Sequence, residues 1–516
     1  MDRLSPDVDL NLKRLKLIME WYQMKQLNIS NLTRSVLLVS VLILLAFFSM
    51  SVNAKSKEDT HGIWTQVESM NHGKFSFENV ELNGKIFVIG GKDRLEFTRT
   101  MEVYDPQINK WTQLANMSVP RNKYGSNTVD LNGKLYIFDE NAEVYDPVKD
   151  LWTKIPNYNY RESSQTVVLN GEIYLIGGSD GYERNGSALS DIVSRSVEKY
   201  NPHTNNWIEV SSLNIPRANS QIEVLEGKIY AIGGSDGDYN TLNNVEVYNP
   251  ETDAWTITNL NYPKRNITSF VMNNKIYVFD NDGEGKAEVF NASKNKWEAA
   301  GNLQELTEEL LTNDLSLVCT MDENIYFKQD INMYLTSIIS YDVNTGIWSK
   351  VTNMYNQDKP EIMCADGTLY IIGGKKGEYD EKENSYTVHG SKRVLKYDPS
   401  SGFSININGE IQDYDNPPLL IKGTTMVPMR NIFESLGAEV TWDQSTKTIT
   451  ATNRDTTITL EINAREAIVN NSKIHLQQPA QIFSGNTLIP LRFVSESLGA
   501  DVRYDHETKI VDITIK

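Results

Sequence analysis

Short strand-like stretches separated by turn residues recur throughout residues 62–402. One of them is an apolar tetrapeptide of the form Gly-Lys-Ile-Tyr, which occurs seven times with small variations. Its copies begin at Gly84, Gly133, Gly171, Gly227, Asn274, Glu323 and Gly367. Recurrence of one short strand between turns is typical of a β-propeller or a solenoid rather than of a mixed globular fold.

A second strand ends in an aromatic residue followed by a turn, as in the sequence Val-Tyr-Asp-Pro, and it also occurs seven times. Its aromatic residues are Tyr104, Tyr145, Tyr200, Tyr248, Phe290, Tyr341 and Tyr397. A third strand carries a tryptophan seven residues after the aromatic residue in six of the copies. These tryptophans are Trp111, Trp152, Trp207, Trp255, Trp297 and Trp348. Together the counts predict a mainly β fold with seven repeat units.

The first and last units are each incomplete. The seventh tryptophan position falls on Ser404, whereas Trp64 has no aromatic strand ahead of it because Lys57 stands seven residues earlier. The simplest explanation is a ring in which the N-terminal strand becomes the outer strand of the last unit, so that no sheet edge is left open. We therefore expect Trp64 to lie beside Tyr397.

The repeats resemble those of the Kelch family, and the resemblance implies a seven-bladed Kelch-type β-propeller over residues 62–402. The double glycine of that family is present in four units, at Gly90 and Gly91, Gly177 and Gly178, Gly233 and Gly234, and Gly373 and Gly374. The other three units depart from the pattern, with Phe138 and Asp139, Phe279 and Asp280, and Phe327 and Lys328 in its place.

Aromatic residues recur in the second strand of every unit. Neighbouring twisted sheets leave a wedge-shaped gap that large flat side chains fill, so we expect these residues and the tryptophans to form the core rather than a surface that stacks on a ligand. The second-strand residues are Phe87, Tyr136, Tyr174, Tyr230, Tyr277, Tyr326 and Tyr370.

A different duplication follows residue 402. Val427 and Ile489 begin two related stretches, VPMRNIFESLGAEVTWD and IPLRFVSESLGADVRYD, which are offset by 62 residues. Each stretch predicts a short helix between a proline and a glycine, and then a two-stranded hairpin. Residues 403–516 resemble the copper amine oxidase N-terminal-like domain of exported bacterial proteins. The resemblance implies a small duplicated α+β stalk domain, without a copper site, that acts as a spacer or adhesion module.

The first 54 residues differ from the rest of the chain. Residues 1–34 form a polar leader with several basic residues, and residues 35–52 carry no charge. Residues 35–54 therefore predict either a signal peptide cleaved after Ala54 or a retained membrane anchor with the leader in the cytoplasm. Both alternatives place the remaining chain outside the cytoplasm. The length of the leader leaves the start of translation open between Met1, Met19 and Met24.

Charge and composition exclude some partners. Without residues 1–54 the chain has 44 Lys and Arg against 64 Asp and Glu, a net charge of −20. The acidic residues are scattered, as on an ordinary solvated surface, and such a surface repels nucleic acid. The six histidines show no pairs at metal-ligand spacing, so we expect no metal and no other cofactor. The chain also has no set of residues comparable to those that form the copper site of galactose oxidase.

The chain has two cysteines, Cys319 and Cys364, at nearly equivalent places on the inner strands of adjacent units. They are either buried free thiols or, if their Cα atoms lie within about 7 Å, a disulfide.

A basic residue follows the tryptophan by nine or ten positions in five units. Up-and-down connectivity places this position on the same face as the loops after the double glycines, around the mouth of the channel. Guanidinium groups gathered there suit a carboxylate or sulfate ligand. The alternative is that these residues tie adjacent units together. The candidate ligand-binding residues are Lys74, Arg121, Arg161, Arg217 and Arg265.

These features predict an exported or surface-anchored protein without catalytic activity. Its propeller would bind a glycan or a protein, and its stalk or anchor would contact the cell envelope. The longest loops of the channel face, in the third and seventh units, are where recognition is expected. One alternative is a propeller enzyme of the isomerase or mutarotase type, which holds an anionic sugar with the basic residues. The other is a purely structural surface protein.

Overall fold

The computed structural model describes most of the chain after residue 61. The described residues are 62–94, 96–121, 127–185, 188–238, 240–262, 267–280, 287–299, 315–321, 323–332, 335–345, 347–355, 360–380, 385–398, 404–412, 418–443, 445–483, 486–505 and 510–515. Contacts divide the chain into two compact units, Met1–Thr60 and His61–Lys516, and all described residues belong to the second. The predicted signal or anchor at residues 35–54 and the leader at residues 1–34 lie outside the described residues.

The described chain begins with β1 (Ile63–Gln66) and then forms four antiparallel sheets of four strands, which we call blades 1 to 4. Blade 1 contains β2 (Glu78–Leu82), β3 (Lys85–Ile89), β6 (Met101–Asp105) and β7 (Lys110–Leu114), with the hairpin β4 (Lys92–Asp93) and β5 (Glu96–Phe97). Blade 2 contains β8 (Asn127–Leu131), β9 (Lys134–Phe138), β10 (Glu143–Asp146) and β11 (Leu151–Lys154). Blade 3 contains β12 (Gln165–Leu169), β13 (Glu172–Ile176), β16 (Val197–Asn201) and β17 (Asn206–Glu209), with the hairpin β14 (Ser179–Asn185) and β15 (Ala188–Val193). Blade 4 contains β18 (Gln221–Leu225), β19 (Lys228–Ile232), β20 (Asn244–Asn249) and β21 (Ala254–Asn259).

Blades 5 to 7 repeat the arrangement. Blade 5 contains β22 (Ile267–Met272), β23 (Lys275–Asp280), β24 (Ala287–Asn291) and β25 (Lys296–Ala299), with a 3-10 turn at Ala292–Lys294. Blade 6 contains β26 (Leu315–Met321), β27 (Asn324–Asn332), β28 (Leu335–Asp342) and β29 (Ile347–Tyr355). Blade 7 takes β30 (Glu361–Ala365), β31 (Thr368–Ile372) and β34 (Val394–Asp398), with the hairpin β32 (Lys375–Asp380) and β33 (Ser385–Gly390), and obtains its fourth strand from the N-terminal end of the described chain.

The ring closes as predicted. Strand β1 pairs antiparallel with β34, and Trp64 lies opposite Tyr397 in the register. The backbone N–H of Gly62 donates a hydrogen bond of 3.1 Å to the Tyr397 hydroxyl oxygen. In blades 1 to 4 the corresponding tyrosine instead donates its hydroxyl to an Asn or Asp five residues later, as Tyr104 does to Asn109. Gly62 therefore replaces a turn that blade 7 lacks, because its third strand, β34, and its fourth strand, β1, are not consecutive in the chain.

The second-strand aromatics form the core as predicted. Six of them are buried, and Tyr277 is partly buried and packs against the cluster that contains Phe270 and Phe327. Trp111 donates its indole N–H to the backbone oxygen of Glu68, two residues after the end of β1, so it also links neighbouring blades. The side chain of Trp348 lies outside the described residues. The buried second-strand residues are Phe87, Tyr136, Tyr174, Tyr230, Tyr326 and Tyr370.

The C-terminal part contains two short helices, α1 (Met429–Ser435) and α2 (Leu491–Ser497), and thirteen further strands among the described residues. The strands are β35 (Ser404–Ile407), β36 (Glu410–Ile411), β37 (Leu419–Ile421), β38 (Thr424–Pro428), β39 (Glu439–Asp443), β40 (Thr448–Asn453), β41 (Thr456–Glu461), β42 (Glu466–Val469), β43 (Ser472–His475), β44 (Gln481–Phe483), β45 (Asn486–Pro490), β46 (Ala500–Asp505) and β47 (Ile510–Ile515).

The two copies of the C-terminal duplication meet at a pseudo-twofold axis. Strands β38 and β45 pair antiparallel, and Val427 lies opposite Ile489, its equivalent in the other copy. The predicted helices begin after Pro428 and Pro490, and Gly437 and Gly499 take the left-handed conformation expected after a helix. The predicted hairpins are β39–β40 and β46–β47.

The boundary between the propeller and the C-terminal part is a continuous sheet. Strand β1 pairs antiparallel with β34 on one side and parallel with β37 on the other, where Trp64 lies opposite Leu419. The resulting eight-stranded sheet has the order β30-β31-β34-β1-β37-β38-β45-β44. A hydrophobic cluster that includes Trp64, Tyr397, Met426 and Leu488 spans both parts. The C-terminal domain is thus packed firmly on blade 7 and not attached by a free linker.

Among the described residues, neither helix is long and apolar enough to cross a membrane.

Candidate functional site

One face of the propeller carries its strand hairpins. The hairpins β4–β5, β14–β15 and β32–β33 join the second strand of a blade to the third. Because strands in an up-and-down blade alternate in direction, the connections from each outer strand to the next inner strand lie on this same face. We call it the hairpin face. The basic residues that were predicted to bind a ligand belong to these connections.

The described basic residues are buried and not open at that face. The side chains of Lys74, Arg121, Arg161 and Arg217 are at most 3% exposed, whereas Arg265 lies outside the described residues. Each buried base forms an ion pair with a glutamate two residues before the aromatic residue of the third strand. The pairs are Lys74–Glu102 at 3.8 Å, Arg121–Glu143 at 2.6 Å, Arg161–Glu198 at 2.8 Å and Arg217–Glu246 at 2.8 Å.

Arg217 shows how these buried charges are compensated. One guanidinium nitrogen donates to Glu246 at 2.8 Å, and the other donates to the backbone oxygen of Gly233 at 3.0 Å. Glu246 also accepts from the backbone N–H groups of Asn214 at 2.7 Å and Ile215 at 2.9 Å. Both side chains are fully buried. A buried ion pair is tolerated when additional hydrogen bonds satisfy its partners. Here they satisfy the terminal guanidinium nitrogens of Arg217, whereas its buried Nε atom has no hydrogen-bond partner.

The double glycines complete this arrangement. The Gly178 N–H of blade 3 donates to the backbone oxygen of Arg217 at 3.0 Å, and Gly91 makes the same bond to Arg121 at 2.8 Å. Gly177 has a φ of +60°, and a Cβ atom there would lie 2.4 Å from the Arg217 oxygen. Arg121 and Arg217 therefore each hold the preceding blade with their main chain and their own blade with their side chain. We call the base, its glutamate and the contact with the preceding blade the ion-pair clamp.

The predicted ligand-binding ring of Lys74, Arg121, Arg161 and Arg217 is therefore corrected. Their charged groups are paired inside the protein and cannot reach a ligand at the channel mouth without breaking these ion pairs. The geometry fits the alternative in which these residues tie adjacent units together. The prediction for Arg265 is not tested.

Burial shifts the pKa of several clamp residues. It lowers the pKa of Lys74 to about 8, against the attraction of Glu102. Burial also lowers the pKa of Arg217 in spite of its bond to Glu246. Burial by itself would lower the pKa of Arg121, but the hydrogen bonds to Asp139 and Glu143 outweigh this effect and raise the pKa. The second acceptor of Arg121, Asp139, stands where a double glycine is missing.

The sequence contained a signal for the clamp that the prediction missed. Glutamate stands two residues before the third-strand aromatic in the same five blades that carry a base, whereas blades 6 and 7 have Ile339 and Leu395 there. Joint presence and absence of opposite charges at fixed repeat positions indicates a pair. The fifth glutamate is Glu288, which accepts from the Asn261 N–H at 2.8 Å.

The carboxyl of Glu223, on an inner strand, is partly buried. Glu223 of β18 accepts a hydrogen bond of 2.5 Å from the Ser269 hydroxyl of β22, and burial raises its pKa while that bond opposes the rise. No group of three or more His, Cys, Asp or Glu among the described residues is arranged to hold a metal ion. One carboxyl beside one hydroxyl does not by itself constitute a catalytic site.

Cys319 and Cys364 are joined in a disulfide. Their Cα atoms are 5.9 Å apart, on the inner strands β26 and β30 of blades 6 and 7. Both residues are partly buried at the edge of the cluster that contains Trp64 and Tyr397.

Comparison with known families agrees with this architecture. The model for the copper amine oxidase N-terminal domain matches residues 406–513. The model for the FKB95 Kelch-repeats domain matches residues 149–356, and the Kelch motif matches residues 75–118. The chain contains Kelch repeats and a copper amine oxidase N-terminal domain. The matches are to Kelch repeats and to this N-terminal domain and include no catalytic family.

Curated relatives share the Kelch part. A putative F-box/kelch-repeat protein of Arabidopsis thaliana is 25% identical over 43% of this chain and 66% of its own length. Kelch-like protein 26 of Danio rerio is 29% identical over 39% of this chain and 34% of its own length. Kelch-like protein 35 of Mus musculus is 26% identical over 63% of this chain and 46% of its own length. The chain spans less than two thirds of each. Kelch repeats generally mediate binding between proteins.

Proposed function

We propose that this chain is an exported, non-catalytic binding protein whose propeller takes a protein partner on the hairpin face. The observation that carries the proposal is the placement of two long hairpins, β14–β15 in blade 3 and β32–β33 in blade 7, on one face of a rigid ring. Variable loops on a rigid scaffold are where recognition concentrates. Internal pairing of the clamp bases removes the support for an enzyme that holds an anionic sugar.

A protein partner is favoured over a glycan for the same reason. The clamp bases that would have held a sugar carboxylate are paired inside the protein. The hairpins instead offer extended backbone, and Ile192 on β15 is 43% exposed. Surfaces of this kind suit contacts spread over a protein interface.

Binding is tested by shortening the hairpins one at a time. Residues 180–192 and 376–389 are each replaced by a two-residue Asn-Gly turn, which preserves the strands of the blade. The matched control changes the β42–β43 turn of the C-terminal domain at residues 470 and 471. The wild type and variants are immobilised and exposed to envelope and culture-medium fractions. The proposal requires a protein that binds the wild type and the control but is lost with a hairpin, and equal capture by all variants contradicts it.

Export is the second part of the proposal. It is supported by the uncharged run at residues 35–52 and by the disulfide, since disulfides persist mainly in oxidising compartments. The stalk domain would then contact the cell envelope beside blade 7. N-terminal sequencing of the protein from the producing cells tests this. Lys55 at the start indicates cleavage after Ala54, an intact leader in the membrane fraction indicates an anchor, and an intact leader in the cytosol contradicts export.

A further inference from the structure

The junction between blades 6 and 7 is built differently from those of blades 1 to 4. In blades 1 to 4 a buried or partly buried glutamate accepts the base of the ion-pair clamp. At the equivalent positions, blade 6 has Ile339 and blade 7 has Leu395, which are 3% and 1% exposed. Neither side chain can accept a charged hydrogen bond. Blade 6 also has Phe327 and Lys328 in place of the double glycine.

The two substitutions are compensated in different ways. Between blades 5 and 6, Ile339 joins a cluster rich in aromatic side chains, with Phe279 and Phe327 at 5.2 Å between ring centroids. Between blades 6 and 7, Leu395 joins a cluster with Tyr326 and Ile338. Among the described residues, a covalent bond supplements the hydrophobic cluster only at the junction of blades 6 and 7, where it is the disulfide Cys319–Cys364.

The disulfide lies where a clamp would act. Inner strands β26 and β30 are neighbours across the junction, and the disulfide joins them directly. A bond between chain positions 45 residues apart stabilises mainly by restricting the unfolded chain. Both cysteines are partly buried and not enclosed, so a small reductant reaches the sulfur atoms through local fluctuation.

We propose that the Cys319–Cys364 disulfide replaces the missing ion-pair clamp and makes the blade 6–blade 7 junction a redox-sensitive point of the ring. A dithiol reductant supplies two electrons and two protons. The S–S bond breaks, each cysteine becomes a thiol, and the dithiol becomes a cyclic disulfide. The hydrophobic cluster then holds the junction alone.

Loosening this junction affects the rest of the molecule. Blade 7 carries the hairpin β32–β33 and continues through β1 into the C-terminal domain. Reduction therefore acts on the region where the ring closes and where the two domains join. The disulfide lies outside the four junctions that hold the ion pairs of Lys74, Arg121, Arg161 and Arg217, so we expect reduction to leave those junctions unchanged. The inference does not depend on which ligand the hairpin face binds.

The experiment compares oxidised and reduced protein by thermal unfolding and by hydrogen–deuterium exchange. The full chain lacking residues 1–54 is used with and without dithiothreitol, and alkylation followed by mass spectrometry counts the free thiols. Reduction is expected to lower the melting temperature by about 5 °C. It is also expected to speed exchange in β26 and β30 at least threefold, with no change in β12 and β18, whose junction has the Arg217 clamp.

A serine variant supplies the matched control. Cys319→Ser with Cys364→Ser should melt at the temperature of the reduced wild type and show no further response to dithiothreitol. The proposal is overturned if the untreated protein already has two alkylatable thiols. It is equally overturned if full reduction leaves the melting temperature and the exchange of β26 and β30 unchanged, or if exchange rises equally in all blades.

Discussion

Trp64 and Tyr397 lie opposite one another on β1 and β34, with their ring centroids 4.9 Å apart, although 333 residues separate them in the chain. This contact closes the propeller, and because β1 also pairs with β37, the same strand joins the propeller to the C-terminal domain. A single strand thus determines two features of the architecture.

Replacing Trp64 should destabilise the protein strongly. Trp64 is 1% exposed and packs in the cluster that spans both domains, so Trp64→Ala is expected to lower the free energy of unfolding by about 3–5 kcal/mol. Trp442→Ala is the matched control, because Trp442 is 41% exposed on β39. Urea denaturation measures both. A loss from Trp64→Ala no larger than that from the control would contradict closure by β1.

The ion-pair clamp should show strong non-additivity. Glu246→Leu leaves Arg217 buried without its carboxylate and is expected to cost about 3–5 kcal/mol of unfolding free energy. Adding Arg217→Met removes the uncompensated charge, and the glutamate position is then apolar, as it is in blades 6 and 7. The double variant should therefore be more stable than the single one. A double-mutant cycle in urea tests this. Losses that simply add would mean that the pair does not act as a unit.

Stability should depend on pH through Lys74. Its pKa in the folded protein is lowered to about 8 from an ordinary value of 10.5, so the unfolded chain binds more protons between these values. Below about pH 8 both states are protonated and burial of the charge opposes folding. As the pH rises to 10.5 this opposition is relieved, by at most about 3 kcal/mol. Relative to Lys74→Met, the wild type should therefore gain stability over this range, and parallel pH profiles would contradict the shift.

The double glycine should be required for close approach as well as for backbone conformation. Gly177 and Gly171 both have positive φ values, but only at Gly177 would a Cβ atom meet a neighbour, the Arg217 oxygen at 2.4 Å. Gly171→Ala should cost about 1–2 kcal/mol from backbone strain alone. Gly177→Ala should cost clearly more in the same denaturation assay. Equal costs would show that the blades do not depend on this contact.

Much of the propeller was predictable because its repeats carry redundant markers. The orphan Trp64 and the missing tryptophan at Ser404 indicated closure, and Ser404 indeed begins β35, which pairs in parallel with β47 of the C-terminal domain. The parallel pairing of β1 with β37 was not predictable, since strand partners across a domain boundary leave no local pattern.

The candidate site illustrates a different limit. Spacing after the tryptophan placed Arg161 and Arg217 correctly in the connections of the hairpin face. It did not reveal the direction of their side chains, which depends on partners far away in the chain. Those partners, Glu198 and Glu246, become evident only when the third strands of all blades are compared.

Cross-linking of β1 to β34 tests the central claim most directly. Thr65 and Lys396 are paired in the register and both are half-buried, so Thr65→Cys with Lys396→Cys should form an intramolecular disulfide on mild oxidation. The control pairs Thr65→Cys with Lys199→Cys, the equivalent position in blade 3. Peptide mapping should find residue 65 joined to residue 396 in the first protein and no cross-link in the second. Absence of the 65–396 link, or a link to residue 199, would contradict closure of the ring by β1.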